Sequence, residues 1–453
     1  MEDKITFNDK VRYQLRRLYE VMRSSVIEKK NIDRKFHYMR VRSIDVLRGI
    51  LTILVIMIIS QGLENSVSKS FIISEWNGVT LAGVVLPFFI LIMGASIPFY
   101  IKKYHENGSK LSSIIKKSLI RVLLLLLLGL IFSVLFLESD KYVRVTGPFQ
   151  LLAINYIISI LAYMMFLKLR IKNNVITYVF AIIGLLIAMM FSVIFINGGR
   201  EAATNIFVRT DISLIGGYKS ISLADPEGIM AIFSSISLGF FGISFGCILN
   251  KKHIEKKYVG YRRPMKIRND GFSKENLLVD IKSWINYRSI KSLLSNYYRF
   301  NNEAKKVIHL LLFSLIYLML FFVTKYWIPV NRNVFSISFV MIACFYFSML
   351  LVVAYVVCDI VKLRFGANYL GNIGKNAILV IFTVQIVHKL LSMIKIKSIF
   401  TGTWLPFNNW FTTDFILPIF GTEFSSTVYS VLITVIWVLL FNLLDRYDVK
   451  VNL

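Results

Sequence analysis

Few side chains in this sequence could move a proton near neutral pH. The five histidines are His37, His105, His253, His309 and His388. An imidazole exchanges protons near neutral pH, and a carboxylate in a poorly solvated site can act as a base. The acidic candidates Asp211, Asp225 and Glu227 come shortly before one long apolar run. The sequence therefore offers acid–base chemistry, either from a histidine or from this acidic group.

Two other classes of chemistry are disfavoured. The three cysteines, Cys247, Cys344 and Cys358, all lie in apolar runs, and none has CxxC or Cys/His spacing. We therefore predict neither a disulfide framework nor a metal site. The sequence contains no Walker-type Gly-x-x-x-x-Gly-Lys-Ser/Thr and no His-Glu-x-x-His, which argues against an ATPase and a zinc protease.

The composition is typical of a membrane protein. Of the 453 residues, 56% are hydrophobic and 17% are charged, and the mean hydropathy is +0.63. Apolar runs of about 20 residues, the length needed to cross a hydrocarbon core of ~30 Å, repeat along the chain. Spanning segments must satisfy their own backbone hydrogen bonds. We therefore predict an all-α, polytopic transmembrane helix bundle.

About ten spans are predicted, with four regions along the chain. The spans lie near residues 45–63, 79–101, 118–137, 148–167, 175–196, 228–250, 307–329, 336–359, 376–393 and 429–445. The regions are a basic amphipathic tail (1–44), a first transmembrane half of about six spans (45–250), a basic loop (251–306) and a second half of about four spans (307–453).

The charges predict the orientation. Residues 1–44 hold twelve Lys/Arg against six acids, and residues 251–306 hold fifteen against five. The intervening loops 64–78, 197–227 and 394–428 carry one, three and two Lys/Arg. By the positive-inside rule the basic segments and both termini are cytoplasmic. This topology also accounts for the net charge of +27, so we expect no nucleic-acid partner.

Several short polar stretches differ from generic transmembrane sequence. They are Arg42-Ser-Ile-Asp45-Val-Leu-Arg48-Gly49, Glu75-Trp76-Asn77-Gly78-Val-Thr80, Arg144-Val-Thr-Gly147-Pro-Phe-Gln150, Asp225-Pro226-Glu227-Gly228, Asn331-Arg-Asn333 and Gly374-Lys-Asn376. In this order and placement they resemble the heparan-α-glucosaminide N-acetyltransferase family and its bacterial relatives, which are polytopic membrane acyltransferases.

The resemblance implies transfer of an acetyl group from cytoplasmic acetyl-CoA, or another acyl-CoA, to an amino sugar across the membrane. It implies no tightly bound cofactor, because acyl-CoA is a donor substrate. The implied acceptor-binding residues are Trp76, Asn77, Gln150, Glu227 and Asn376. The expected partners are membrane lipids and a carbohydrate or lipid-linked sugar, in a multi-pass protein of the plasma membrane. A homodimer stays an open alternative.

The sequence departs from the family pattern at the position of the family's catalytic histidine. That position, three residues before Trp76, is Ile73, and isoleucine can neither exchange a proton nor carry an acyl group. A family aspartate is replaced by Gly83, and a family arginine by Leu151. The family mechanism cannot operate unchanged from this site.

A catalytic group would therefore lie elsewhere. His388 follows Asn376 by twelve residues, about 18 Å along a helix, and so lies near the outer boundary. It is either a relocated base or an ordinary interfacial histidine. Asp211 and Asp225 are carboxylate alternatives, although Asp225 with Glu227 could instead cap the next helix.

Three arginines are candidates for binding the donor. Arg42, Arg48 and Arg121 lie at predicted cytoplasmic helix ends, where a guanidinium could hold the phosphates of CoA. Contact with lipid phosphates would explain them equally well. Two hypotheses follow: a membrane acyltransferase, which we favour, and a non-catalytic relative that acts as a binding, transport or partner protein.

Overall fold

The computed structural model describes residues 41–106, 111–135, 143–169, 171, 173–216, 224–251, 297, 300–363 and 366–446. Most of the predicted tail at 1–44 and loop at 251–306 therefore lies outside the described residues. The same holds for His37, His253 and the side chain of His105.

The described chain is almost entirely helical, which confirms the all-α prediction. Its helices are α1 (Arg42–Ile59), α2 (Leu81–Glu106), α3 (Leu111–Leu135), α4 (Pro148–Lys168), α5 (Asn173–Asn197), α6 (Ile206–Ile215), α7 (Ile229–Asn250), α8 (Asn302–Thr324), α9 (Ile337–Ala354), α10 (Ala367–Lys375), α11 (Ala377–Met393), α12 (Phe407–Phe411) and α13 (Leu417–Arg446). A π-helical turn, Tyr355–Ile360, extends α9, and another, Thr412–Ile416, joins α12 to α13. Two short strands, β1 (Lys395–Lys397) and β2 (Trp404–Pro406), pair in antiparallel fashion.

The helices are those of a multi-pass membrane protein. Within the described ranges, eight helical runs are long and apolar enough to cross a membrane. A ninth is counted if α10 and α11, which meet at a bend of 78°, form one span. The prediction was about ten. The difference is α1, which has only 18 residues and begins with the charged side chains of Arg42, Asp45 and Arg48.

The core is built around α7, whose residues are nearly all buried, whereas α3, α5 and α8 expose many leucines and isoleucines. Glycines let α7 and α2 approach backbone to backbone. A Cβ on Gly94 would overlap the carbonyl oxygen of Gly239, and a Cβ on Gly242 would overlap that of Leu91. Small residues at such crossings permit the close packing that holds helices together in lipid.

A second close crossing joins α1 and α10. A Cβ on Gly49 would overlap the carbonyl oxygen of Leu370, and a Cβ on Gly374 would overlap that of Asp45. The start of α1 and the bend before α11 therefore lie at the same end of the bundle. Asn376, at that bend, lies at this end too.

The predicted orientation can be tested by cysteine labelling in intact cells. With the native cysteines removed, an impermeant maleimide should modify Ser74→Cys in the short loop after α1. It should not modify Ser273→Cys in the basic loop, because that loop is predicted to be cytoplasmic. Labelling of Ser273→Cys before lysis would contradict the topology, and labelling only after lysis would support it.

Candidate functional site

Two arginines and two carboxylates form a buried ion network at the start of α7. Arg144 Nη2 donates to Asp225 Oδ1 at 2.5 Å and to Glu227 Oε2 at 2.8 Å. Arg332 Nη2 donates to the other oxygen of Glu227, Oε1, at 2.8 Å, and the Arg332 side chain is 2% exposed. Burial alone would lower the pKa of Arg144, but the two carboxylates raise it above its usual value. Glu227 thus joins two charged guanidiniums.

The turn before α7 fixes this network locally. Asp225 Oδ1 accepts the backbone N–H of Glu227 at 3.0 Å, a side-chain turn that Asp forms readily. Its Oδ2 accepts the hydroxyl of Thr146 at 2.5 Å, and Arg332 Nη1 donates to the Pro226 carbonyl at 2.7 Å. Both oxygens of Asp225 are therefore engaged by donors of the protein itself. This arrangement suits a structural carboxylate better than a base.

Asp211 caps α7. Its Oδ1 accepts the backbone N–H of Ile229, the first residue of α7, at 3.0 Å. Gly228 packs so closely that a Cβ there would overlap the Asp211 carboxylate. A negative charge here satisfies an orphan N–H and interacts favourably with the helix dipole. From the sequence, Asp225 with Glu227 was the candidate cap of α7. In the structure the capping carboxylate is that of Asp211.

The loop containing Trp76 is clamped to the loop before α9. Asn331 Nδ2 donates to Asn77 Oδ1 at 3.3 Å, and the Gly78 N–H donates to the Val330 carbonyl at 2.8 Å. Asn333 Nδ2 donates to the Glu75 carbonyl at 2.8 Å. Because Arg332 lies between the two asparagines, the same loop reaches the ion network. The structure thus brings Asn77 and Glu227 to one site.

Trp76 and Ile73 lie at the edge of this site. The indole Nε1 of Trp76 donates to the Arg200 carbonyl at 2.8 Å, and its ring lies 6.0 Å from that of Phe195. Ile73 is partly exposed on the same loop. The position that would carry a histidine in the resembled family is therefore open to solvent beside the clamped loop.

Two of the three donor-side arginines converge on one face of α2. Arg48 Nη2 donates to Ser96 Oγ at 3.1 Å. The Arg121 guanidinium lies 4.7 Å from the centre of the Tyr100 ring. Ser96 and Tyr100 are four residues apart, so they lie on the same helix face about one turn, or 5.4 Å, from each other. The two arginines lie beside the second half of α2, and Arg48 Nη1 also lies 3.7 Å from Asp45 Oδ1 at the start of α1.

Arg42 has a different environment. Its backbone N–H and that of Ser43 donate to the two oxygens of Asp359, at 3.0 and 3.1 Å. Asp359 therefore caps α1, a contact between residues more than 300 positions apart that sequence reasoning did not foresee. Asn376 lies near this end of the bundle, away from the Trp76 loop, so the structure does not group it with the other predicted acceptor residues.

Polar side chains occur at intervals on α4 and just before it. Arg121 Nη1 donates to the Tyr156 hydroxyl at 3.4 Å, and Thr146, just before α4, donates to Asp225. Gln150 lies between them, six residues or about 9 Å from Tyr156. It is buried against Gly129, whose Cβ would lie 2.5 Å from Gln150 Oε1. Its Nε2 has no hydrogen-bond partner among the described residues.

His388 belongs to a separate polar cluster formed by α11, α12 and α13. The Tyr429 hydroxyl donates to Asn408 Oδ1 at 2.8 Å, which turns the Asn408 Nδ2 towards the His388 ring, 3.4 Å from both ring nitrogens. Asn408 is buried and His388 is half-buried. Asn408 and Tyr429 were not predicted from the sequence. The only available signal was polar residues within an otherwise aromatic stretch.

Comparison with known proteins supports the resemblance over part of the chain. No protein-family model matches the chain. The chain is similar to heparan-alpha-glucosaminide N-acetyltransferase. It is 31% identical to the human protein over 134 residues, 28% of this chain and 20% of that protein. It is 31% identical to the mouse protein over 124 residues, 26% of this chain and 18% of that protein. The matches thus span about a fifth of each relative and indicate a distant relationship.

Gly83 is one position at which this chain departs from the acetyltransferase pattern, and the structure shows what surrounds it. A Cβ on Gly83, where the resembled family has an aspartate, would lie 3.6 Å from Arg332 Cγ and 3.2 Å from Thr80 Oγ1. A carboxylate at position 83 would therefore lie beside Arg332. In this chain Glu227 serves as the carboxylate partner of that arginine.

The sequence contains one Gly-x-Ser-x-Gly match, which does not form a hydrolase nucleophile. The stretch Gly242-Ile-Ser244-Phe-Gly246 lies within α7 and not at a strand-to-helix turn. Ser244 is buried, and its hydroxyl donates to the Thr177 carbonyl at 2.9 Å. Gly242 takes part in the crossing with α2. These residues therefore pack helices together.

Proposed function

We propose that the protein is a membrane acyltransferase that moves an acyl group, most simply acetyl, from cytoplasmic acyl-CoA to an amino sugar or other cell-envelope glycan outside the plasma membrane. The observation that carries the proposal is the series of polar side chains along α4. Thr146 contacts the ion network, Gln150 is buried in the first turn of α4, and Tyr156, further along α4, contacts Arg121 of the arginine pair. Polar groups inside a bilayer are costly and commonly mark substrate paths.

The donor end would bind the phosphates of CoA. Arg48 and Arg121 approach α2 from its two neighbours, α1 and α3, and each guanidinium can donate in a forked geometry to phosphate oxygens. The thioester arm would then extend along α4 towards Gln150. The Nε2 of Gln150 has no partner in the described part of the chain and is a donor suited to an amide or thioester carbonyl.

The acceptor end would hold the amino sugar near the Trp76 loop, where an indole and several amide side chains are gathered. In the reaction the sugar amine attacks the thioester carbonyl, a C–N bond forms, the C–S bond breaks and the CoA thiol departs. The amine must lose a proton during this step. His388 is the base that we propose, with Asp211 and Asp225 as the alternatives from the sequence. Because His388 lies in the separate cluster of α11, α12 and α13, this role requires the acceptor amine to reach that cluster from the Trp76 loop.

A second candidate function is supported by one observation. Ile73 occupies the position of the family's histidine, so the site is also compatible with a non-catalytic relative that binds or transports a ligand or partner. Donor binding separates the two functions. Acetyl-CoA should raise the melting temperature of the purified protein by binding to the native state, and radiolabelled acetyl should appear on glucosamine or an envelope glycan. No shift at saturating acetyl-CoA would favour the second candidate.

Arg48 provides a sharper test of the donor site. Arg48→Ala should weaken CoA binding by about 1.5–3 kcal/mol, the range for a hydrogen bond to a charged group. Arg48→Lys should recover only part of this loss, because lysine keeps the charge without the fork. Lys103→Ala, an exposed cation on the same helix α2, is the control and should bind normally. Equal affinity for all variants by calorimetry would show that Arg48 does not bind CoA.

A further inference from the structure

The segment between α11 and α12 forms a hairpin with an apolar tip. β1 pairs with β2 so that Lys397 lies opposite Trp404. The side chains of Ile399, Phe400 and Trp404 are 78%, 68% and 67% exposed, respectively. Three large apolar side chains exposed on one small element are unusual for a loop in water.

The hairpin is held in place. Ser398 Oγ donates to Asp414 Oδ1 at 2.6 Å, and the Ile399 N–H donates to Asp414 Oδ2 at 2.8 Å. The Phe407 N–H donates to the Ile394 carbonyl at 2.8 Å and closes the base of the hairpin. Because Asp414 is itself buried, the tip is fixed to the turn that joins α12 to α13. The apolar side chains are therefore presented by a fixed scaffold.

Further exposed apolar side chains continue from the hairpin onto the neighbouring helices. Met393, at the end of α11, is 61% exposed, and Ile419 and Phe420 are exposed at the start of α13. The backbone then breaks at Gly421 (φ 73°) before α13 continues. Since spans flank the hairpin on both sides, it lies where membrane-spanning helices end.

The charge of the hairpin matches phosphate headgroups. Lys395 and Lys397 are exposed and lie two residues apart, so they project from the same face of β1. The segment 394–428 has two acidic residues: Asp414, which is engaged by Ser398 and Ile399, and Glu423, which is exposed on α13 beyond the break at Gly421. Apolar and aromatic side chains beside exposed lysines are typical of elements that lie in the membrane interface.

We propose that this hairpin inserts Ile399, Phe400 and Trp404 into the bilayer interface and binds anionic phospholipid headgroups through Lys395 and Lys397. The segment 394–428, predicted from the sequence as an outer loop, would then lie partly in the interface. The hairpin anchors α11 and α12, and with them the His388 cluster, at a fixed depth. The inference does not depend on the proposed acyl transfer.

Spin labelling of protein in lipid nanodiscs tests the proposal. A nitroxide at Phe400→Cys, with native cysteines replaced, should be more accessible to oxygen and less accessible to a water-soluble nickel chelate than one at Ser74→Cys. Met319→Cys on the exposed face of α8 serves as the lipid-facing control. Nickel accessibility at position 400 equal to that at position 74 would overturn insertion. Spin–spin coupling between two labelled copies would show that a second copy covers the tip, and would overturn it too.

The contact with phospholipid headgroups is tested by changing the lipid composition of the nanodiscs. Replacing part of the phosphatidylcholine by phosphatidylglycerol should further lower nickel accessibility at position 400. The double variant Lys395→Gln/Lys397→Gln should lose this lipid dependence, whereas Lys375→Gln, at the end of α10 and before α11, should keep it. Unchanged lipid dependence in the double variant would overturn the assignment of the lysines. An unchanged melting temperature would verify that the variant is folded.

Discussion

Glu227→Ala should destabilise the protein by about 3–5 kcal/mol, the largest loss of stability that we expect from one substitution. The reason is burial: Glu227 accepts from both Arg144 and Arg332, and the Arg332 side chain is 2% exposed. Removing the shared carboxylate leaves a buried guanidinium without this partner, which costs far more than loss of a surface ion pair. Unfolding of the purified protein, followed by denaturant titration in mixed micelles, would measure the change.

Two further variants test whether the loss of stability in Glu227→Ala comes from the ion network of Arg144, Arg332 and Glu227. Glu201→Ala removes an exposed carboxylate from the same side of the bundle and should change stability by at most about 0.5 kcal/mol. The double variant Glu227→Leu/Arg332→Met removes the second charge as well, and should recover most of the loss because apolar side chains of similar volume can replace a buried pair. If Glu227→Ala unfolds like Glu201→Ala, the carboxylate does not stabilise the loops.

His388→Ala should lower acyl transfer roughly a hundredfold or more while donor binding stays intact. A positioned base contributes about 10²–10⁴-fold to a step that removes a proton, and amine attack on a thioester is such a step. In the structure two residues, Asn408 and Tyr429, position the His388 ring. Tyr429→Phe should reduce kcat less than His388→Ala does, because it removes the hydroxyl that orients the Asn408 amide towards the imidazole. Steady-state kinetics with a saturating donor would measure both effects.

His309→Ala is the matched control, because His309 hydrogen-bonds to Tyr297 at 3.0 Å on α8, far along the chain from the α11–α13 cluster. It should retain activity. A fully active His388→Ala would transfer the role of base to Asp211 or Asp225, or remove the need for one. In that case Ile73→His becomes informative, since a gain of acetyl transfer to glucosamine would show that the pocket had lost only its catalytic group.

Predictions from the sequence were accurate for transmembrane spans, because a span depends only on the local run of residues. A bilayer requires runs of about 20 apolar residues that satisfy their own hydrogen bonds, so the spans could be predicted closely from hydropathy. The prediction for residues 376–393 matches α11, Ala377–Met393, almost residue for residue. It was less accurate where charges enter a helix, as in α1, and where a glycine breaks one, as at Gly421 in α13.

Which residues pair with each other at the candidate site could not be predicted from local sequence. The predicted topology put Asp225, Glu227 and Asp211 on the outer side of the membrane but did not distinguish their roles. The carboxylate that caps α7 comes from Asp211, 18 positions before Ile229, and the one that binds Arg332 comes from Glu227, 105 positions away. Arg332 and Glu227 each lie in a polar stretch that the sequence singled out, but nothing in the sequence indicated that they would pair.

The sequence by itself determined that this chain is an all-α, multi-pass membrane protein with a distant resemblance to a membrane acetyltransferase, because composition, run length and short motifs are local properties. Only the tertiary structure decided which of the polar residues meet. The backbones of α2 and α7 cross closely at Gly94 and Gly242, and Arg48 of α1 and Arg121 of α3 contact Ser96 and Tyr100 of α2. Such contacts depend on how helices pack against each other, and helix packing in lipid is governed by shape at a few small residues that hydropathy does not report.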